Sequence, residues 1–157
     1  RIDRLRFLGC RDVDISSFQP HEYDRAVALW QDVGLTRPWN DPLADIRRAM
    51  VGPDSTVLAI RDGHDQLIGT AMVGHDGHRA WVYYLAVDTS CRGQGLGRRL
   101  MDAAEAWTRQ RDIPKLQFMV RADNEPVLGF YDRLGYERQD VAVLGRRLDQ
   151  PATVTGF

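Results

Sequence analysis

The 157-residue sequence contains no apolar run of 18 residues, so it offers no transmembrane helix, and no signal-peptide pattern opens it. Cysteine is scarce. Cys10 and Cys91 are too few for a disulfide framework, which suits a reducing, cytoplasmic setting. The four histidines, at 21, 64, 75 and 78, and the two cysteines lack metal-ligand spacing, so no metal is expected. A charge excess of either sign is missing as well: the formal net charge is −1, which argues against general nucleic-acid or membrane-surface binding. There is no internal repeat and no low-complexity linker, and the length suits one domain with a sound core. Residues 1–12 are charged and weakly periodic and read as an extension or remnant outside the fold. Residues 13–149 read as a single domain and 150–157 as a tail.

Glycine is concentrated where it carries most information, in Val87-Asp88-Thr89-Ser90-Cys91-Arg92-Gly93-Gln94-Gly95-Leu96-Gly97-Arg98-Arg99-Leu100. The pattern is the end of an apolar strand, a turn, and a glycine-rich loop opening into a helix. Gly93, Gly95 and Gly97 let backbone N–H groups turn toward a ligand. The helix adds unsatisfied N–H groups and the positive end of its dipole. Arg92, Arg98 and Arg99 surround the same point with cations, and together these features favour a phosphate or pyrophosphate. A plain strand-to-helix connection with solvated arginines is the alternative. Spacing removes two familiar nucleotide loops. No lysine follows a glycine as a Walker A loop requires, and the position three after Gly95 is Arg98 where a dinucleotide fingerprint needs glycine. Cys91 reads as a turn residue.

Periodicity predicts a short strand near 13–18 and a helix from Pro20 to Gly34 with Tyr23, Ala26, Val27, Trp30 and Val33 on one face. Asp41-Pro42 starts a second helix, with Asp41 as cap and Ile46, Ala49 and Met50 apolar. Strands follow at 56–61, 66–74 and 79–87, with turn signals at Asp62-Gly63 and Asp76-Gly77. A helix over 96–110 leads past Pro114 to a strand at 115–120, a right-handed parallel crossover. Asn124 should cap a further helix with Pro126 in its first turn and Gly135 at its end, and a last strand is expected at 137–148.

Arg92-x-x-Gly95-x-Gly97 resembles the coenzyme A loop of the GNAT superfamily of N-acetyltransferases. The segment Asn124-x-x-x-x-x-x-Tyr131-x-x-x-Gly135-Tyr136 is similar to a second motif of that superfamily, with Val127 where alanine is usual. The order of elements also matches. The resemblance covers residues 14–148 and looks closest to the YpeA-type bacterial acetyltransferases, through Arg37-Pro38-Trp39-Asn40-Asp41-Pro42, Asp76-Gly77-His78-Arg79 and Tyr83-Tyr84-Leu85-Ala86-Val87. It implies an α/β chain with the GNAT (acyl-CoA N-acyltransferase) fold: a mixed central sheet flanked by about four helices.

The resemblance further implies acetyl-CoA as acetyl donor and direct transfer to a primary amine of a small molecule or peptide. Arg92, Gly93, Gln94, Gly95, Leu96, Gly97 and Arg98 would hold the pyrophosphate. The pantetheine arm would lie along Leu85, Ala86 and Val87, with the Leu85 N–H near the thioester carbonyl. Asn124 and Tyr131 would contribute from the later helix, Tyr131 protonating or hydrogen-bonding the leaving thiolate. The alternative for Tyr131 is simple packing beside Leu128 and Leu134. The two positions that often hold the base in related enzymes fall on Trp81 and Met119, neither of which titrates usefully. Alternation would place Trp81, Tyr83 and Leu85 on one face, making Tyr83 a candidate proton acceptor. Trp39, Asn40, Asp76, His78, Trp81 and Tyr83 are candidates for acceptor binding, against plainer roles in turns, loops and core. A protein Nα-acetyltransferase is weakened by the lack of glutamate at Met119. A coenzyme A-binding sensor without catalysis is the reading from a different class, and a purely structural domain is another. Monomer and homodimer stay open.

Overall fold

A computed structural model describes residues 13–149. The expectations for residues 1–12 and 150–157 lie outside the described residues. The chain divides after Met119 into two units.

The first unit is a sheet with helices. Strand β1 (Asp14–Ser17) leads into a 3-10 turn, Pro20–Glu22, and then α1 (Tyr23–Asp32). Helix α2 (Pro42–Met50) begins as its sequence predicts: Asp41 Oδ1 accepts the Ala44 N–H at 3.0 Å, and Pro42 takes a first-turn position that needs no donor. Strands β2 (Ser55–Arg61), β3 (Leu67–His75) and β4 (Ala80–Val87) form a meander. Asp62 and Asp76 build its two turns by accepting backbone N–H groups two to four residues ahead. A 3-10 turn (Thr89–Cys91) precedes α3 (Leu96–Arg109), and β5 (Leu116–Gln117) closes the unit.

The sheet order is β1-β2-β3-β4-β5, antiparallel throughout except for the parallel β4–β5 pair. On one face α1 and α2 bury Ala26, Leu29, Trp30, Ile46 and Ala49 against Phe18, Val57, Ala59 and Ala86. On the other face α3 lies so close that a Cβ on Gly69 would sit 3.3 Å from Leu100 Cδ1 and 3.1 Å from the Ala86 carbonyl. The amphipathic spacing of Leu96, Leu100, Ala104 and Trp107 explains why α3 turns this stripe inward. At the sheet edge, Arg61 forks onto both oxygens of Glu22 at 2.6 and 2.7 Å. These side chains are 11% and 5% exposed, and Arg61 also bonds the Ser17 carbonyl, tying β1, the first turn and β2 together.

Two strand expectations change here. The strand predicted at 115–120 pairs only through Ala80↔Leu116 and Trp81↔Gln117. Regular alternation in β4 also fails. Thr70 pairs with Ala86 but Met72 pairs with Tyr83, so Ala71 faces both Tyr84 and Leu85. This β-bulge reverses parity. Ala86, not Leu85, shares the face of Trp81 and Tyr83.

The second unit carries α4 (Glu125–Arg133). Asn124 stands at its N-cap and Pro126 lies in its first turn, but the Asn124 side chain makes no capping hydrogen bond. The helix ends in a Schellman motif: Tyr136 N–H bonds the Tyr131 carbonyl at 3.1 Å, and Gly135 N–H bonds that of Asp132 at 3.1 Å. Gly135 has φ +88°, which explains its glycine. The strand expected at 137–148 does not form. Residues 137–148 are exposed, Val141 and Val143 at 74% and 65%, and their alternation finds no neighbouring strand to complete a ladder.

Candidate active site

The glycine-rich loop has the backbone its composition predicts. Gly93 and Gly95 have φ of +75° and +76°, and a Cβ on either would meet nothing within 4 Å. Conformation, not space, therefore demands glycine there. Gly95 is the N-cap of α3 and supplies no side-chain cap, so the first N–H groups of a 14-residue helix have no side-chain acceptor at the cap. Arg92, Gly93, Gln94, Gly95 and Arg98 are exposed around this point, Gly97 is half-buried, and Leu96 is anchored in the core. Arg99, expected among the cations of the loop, instead donates to the Val13 carbonyl at 2.8 Å. Asp88 fixes the entry by accepting the Ser90 N–H and hydroxyl and pairing with Arg25 at 2.7 Å. The Ser90 hydroxyl, the Ser90 N–H and Arg25 outweigh the opposing effect of burial and hold the Asp88 carboxyl below its usual range.

Beside the loop, β4 offers an open edge. Its side toward β5 is paired at Ala80 and Trp81, and no described strand pairs with that side over residues 82–87, which include Leu85, Ala86 and Val87. An extended ligand can bond such an edge as an added strand would.

A cavity of about 680 Å³ opens between α2, the β3–β4 hairpin and β4. Of the residues singled out from sequence for an acceptor, Asn40, Asp76, Trp81 and Tyr83 line it. Trp39 and His78 do not: Trp39 is 58% exposed, so it is not a core residue either, and His78 is exposed in its turn. Asp76 lies low in pKa because it accepts the Arg79 and His78 N–H groups. Tyr83 is 45% exposed, and the burial of the rest of the ring pushes its phenol up.

Tyr84 and Asp45 are among the lining residues that escape sequence reasoning. The Tyr84 hydroxyl donates to Asp45 Oδ2 at 2.7 Å, and Arg48 holds the other oxygen of the same carboxylate. Burial, then the Asp45 bond and charge, push the Tyr84 phenol far above its usual range, against opposing effects of Asn40 and Arg48. No alternation rule predicts that Tyr83 and Tyr84, adjacent in a strand, share one cavity. The bulge between them and Ala86 allows it.

In the second unit, Tyr131 is 9% exposed and packs edge-on against Phe130 and Tyr136, at 5.0 and 5.9 Å between ring centroids. Burial pushes its phenol up to about 12. The Tyr131–Tyr136 contact accompanies the Schellman motif, so Tyr131, Gly135 and Tyr136 form one packed turn. Leu128 and Leu134, the expected packing partners, are half-buried. Met119, at 50% exposure, lies beyond β5. Among the described residues no group of three or more His, Cys, Asp and Glu could hold a metal ion, and no helix is long and apolar enough to cross a membrane.

The acetyltransferase (GNAT) family model matches residues 17–136. Among solved structures, the chain is similar to the aminoglycoside N-acetyltransferase AAC(6')-Iy in complex with CoA (16% identity, 87% of this chain and 95% of that one, TM-score 0.73). It is similar to a transcriptional regulator from Bacillus halodurans (17% identity, 86% and 99%, TM-score 0.73). A third is an acetyltransferase of Trypanosoma brucei (19% identity, 87% and 100%, TM-score 0.66). At these identities the likeness to solved structures shows the fold.

Proposed function

Because the chain belongs to the GNAT family of acetyltransferases and has its fold, we propose that it transfers an acetyl group from acetyl-CoA directly to a primary amine of a small molecule or peptide, in the cytoplasm. The observation that carries this reading is the pair of left-handed glycines, Gly93 and Gly95, opening the N-terminus of α3, which has no side-chain cap, one short turn after β4. Donors from residues 93–98, with Arg92 and Arg98, bind the pyrophosphate. The pantetheine arm bonds the open edge at Leu85–Val87, and the Leu85 N–H stabilises charge developing on the thioester oxygen. By the family motif that they match, Asn124 and Tyr131 serve the donor, Tyr131 hydrogen-bonding the departing thiolate. The acceptor enters the cavity lined by Asn40, Asp76, Trp81 and Tyr83.

An ammonium acceptor must lose a proton with a reference pKa of about 10.4 before it attacks. Trp81 cannot take it; the Tyr83 phenol, held protonated by its raised pKa, can relay it, and the carboxylates of the same cavity can receive it. The YpeA-type likeness, through the same β4 residues, refines identity without naming an amine. An Nα-acetyltransferase is disfavoured by Met119. The carboxylates in the cavity also weaken the sensor reading, since they offer proton acceptors that Trp81 and Met119 do not.

A screen of small amines and peptides, following free-thiol release from acetyl-CoA, tests this function. Turnover with at least one amine is expected; acetyl-CoA binding without turnover would leave a sensor. Saturation at 100 times Kd should add about 2.7 kcal/mol of stability, and no thermal shift at all would leave only a structural domain.

A further inference from the structure

Tyr84 has φ +49° inside β4, in the left-handed region that a bulky side chain rarely enters. Such backbone persists only where its surroundings over-determine it. Here they do. The Tyr84 ring stacks on the fully buried Trp30, with centroids 3.8 Å apart and planes 11° from parallel. Its hydroxyl is held by Asp45. Its carbonyl accepts the Thr70 hydroxyl at 2.9 Å, and the same Thr70 oxygen accepts the Trp30 indole N–H at 2.8 Å. Thr70 is itself fully buried. Three elements, α1, α2 and β3, thus converge on one residue of β4.

That residue stands where two functions meet. Its side chain lines the cavity, and its backbone forms the bulge in the pairing of β4 with β3, opposite the open edge of the same strand. A strand edge can be straightened by one residue's φ and ψ, which would shift every N–H beyond it. We propose that Tyr84 is a positioning residue for acyl transfer: clamped by Trp30, Thr70 and Asp45, it holds β4 in the bulged form that sets the donor edge against the acceptor cavity. This rests on the acetyltransferase reading above. Tyr84 does not exchange protons with the acceptor, since its hydroxyl proton is committed to Asp45.

The experiment uses an amine found by the screen and measures kcat, both KM values and the acetyl-CoA Kd for the full chain, with rates normalised to acetyl-CoA-binding sites. Thr70→Val removes the hydroxyl while keeping the shape. Tyr84→Phe keeps the stack and removes the bond to Asp45. Both should lower kcat per site about 10- to 100-fold, the scale on which small misplacements act, with the acetyl-CoA Kd unchanged and every accepted amine affected alike. Thr70→Ser, which retains the hydroxyl, should restore the rate lost in Thr70→Val. If Tyr84→Phe does not fold, the two Thr70 variants decide. An unchanged kcat per site overturns the clamp, as does a loss confined to the amine KM, which would make Tyr84 an acceptor contact. A wild type that binds acetyl-CoA but releases no thiol with any amine refutes the acetyltransferase reading and the clamp with it.

Discussion

Replacing Tyr131 by phenylalanine removes one hydroxyl from a packed turn, and the structure sets how much that should matter. Burial pushes this phenol up to about 12, whereas a coenzyme A thiol resembles cysteine, at about 8.5. Passing the proton from Tyr131 to the departing thiolate is therefore uphill by about 3.5 pKa units, or about 5 kcal/mol. In the role proposed for it, the tyrosine keeps its proton and donates a hydrogen bond to the thiolate. A hydrogen bond to a charged group contributes about 1.5–3 kcal/mol, which corresponds to a factor of roughly 10–150 in rate. Tyr131→Phe should therefore lower kcat by that factor and leave the acetyl-CoA Kd unchanged, because the charge arises only as the thioester breaks. Thiol release by wild type and variant from pH 6 to 10, with calorimetry for Kd, makes the measurement. No pH limb in that range should belong to Tyr131. A loss of a thousandfold or more would require full proton transfer and would refute the reasoning. So would an alkaline limb that vanishes in the variant, or no loss at all.

Other consequences follow from the same contacts. Gly135→Ala forces a Cβ into φ +88° at a cost of roughly 1–2 kcal/mol. It should lower Tm and, by loosening the Tyr131–Tyr136 contact, reduce kcat as well; an unchanged kcat would separate the turn from the chemistry. Gly95→Ala imposes similar strain on the loop and should weaken acetyl-CoA about tenfold by titration, with kcat at saturation little changed. Burial alone would raise the Glu22 pKa, but Arg61's hydrogen bonds, the Gln19 N–H and Arg61's charge outweigh it and hold the carboxyl below its usual range. Its folded-state pKa is thus depressed, so its contribution is present above the unfolded value of about 4.3 and lost as pH falls through the folded value. Glu22→Gln should cost about 3–5 kcal/mol at pH 7 and flatten the acid side of a urea-midpoint profile; an unaltered acid side would show that Glu22 does not carry it.

Local chemistry made the legible parts legible. Asp41-Pro42, Asp76-Gly77, the Gly93–Gly97 loop and Tyr131-x-x-x-Gly135 announce themselves because each residue answers a need of its own backbone. The bulge gave no such sign: it exists in the pairing of β4 with β3, where Ala71 meets two residues, and a period-two pattern contains no partner. Tyr84 and Asp45 were invisible for the same reason, since their bond joins positions 39 residues apart. The strand expected at 137–148 shows the converse error. Alternating Val141 and Val143 satisfy a pattern, but a pattern without a ladder is not a strand. Arg99 looked like a loop cation because its actual partner, the Val13 carbonyl, is 86 residues away in sequence.

The bulge also bears on how this chain tolerates insertion and deletion. Straightening β4 at its present length would restore regular pairing and turn one half of the strand over. Either Trp81 and Tyr83 would leave the cavity for the α3 side, or Ala86 would leave its seat beneath α1 and α2. The turn at Asp76-Gly77 faces no such parity, so its length can drift freely. Length variation should therefore collect in the hairpin tip, and within β4 a one-residue deletion should be tolerated only at Tyr84–Leu85, where losing the extra residue of the bulge keeps Trp81, Tyr83 and Ala86 on one face.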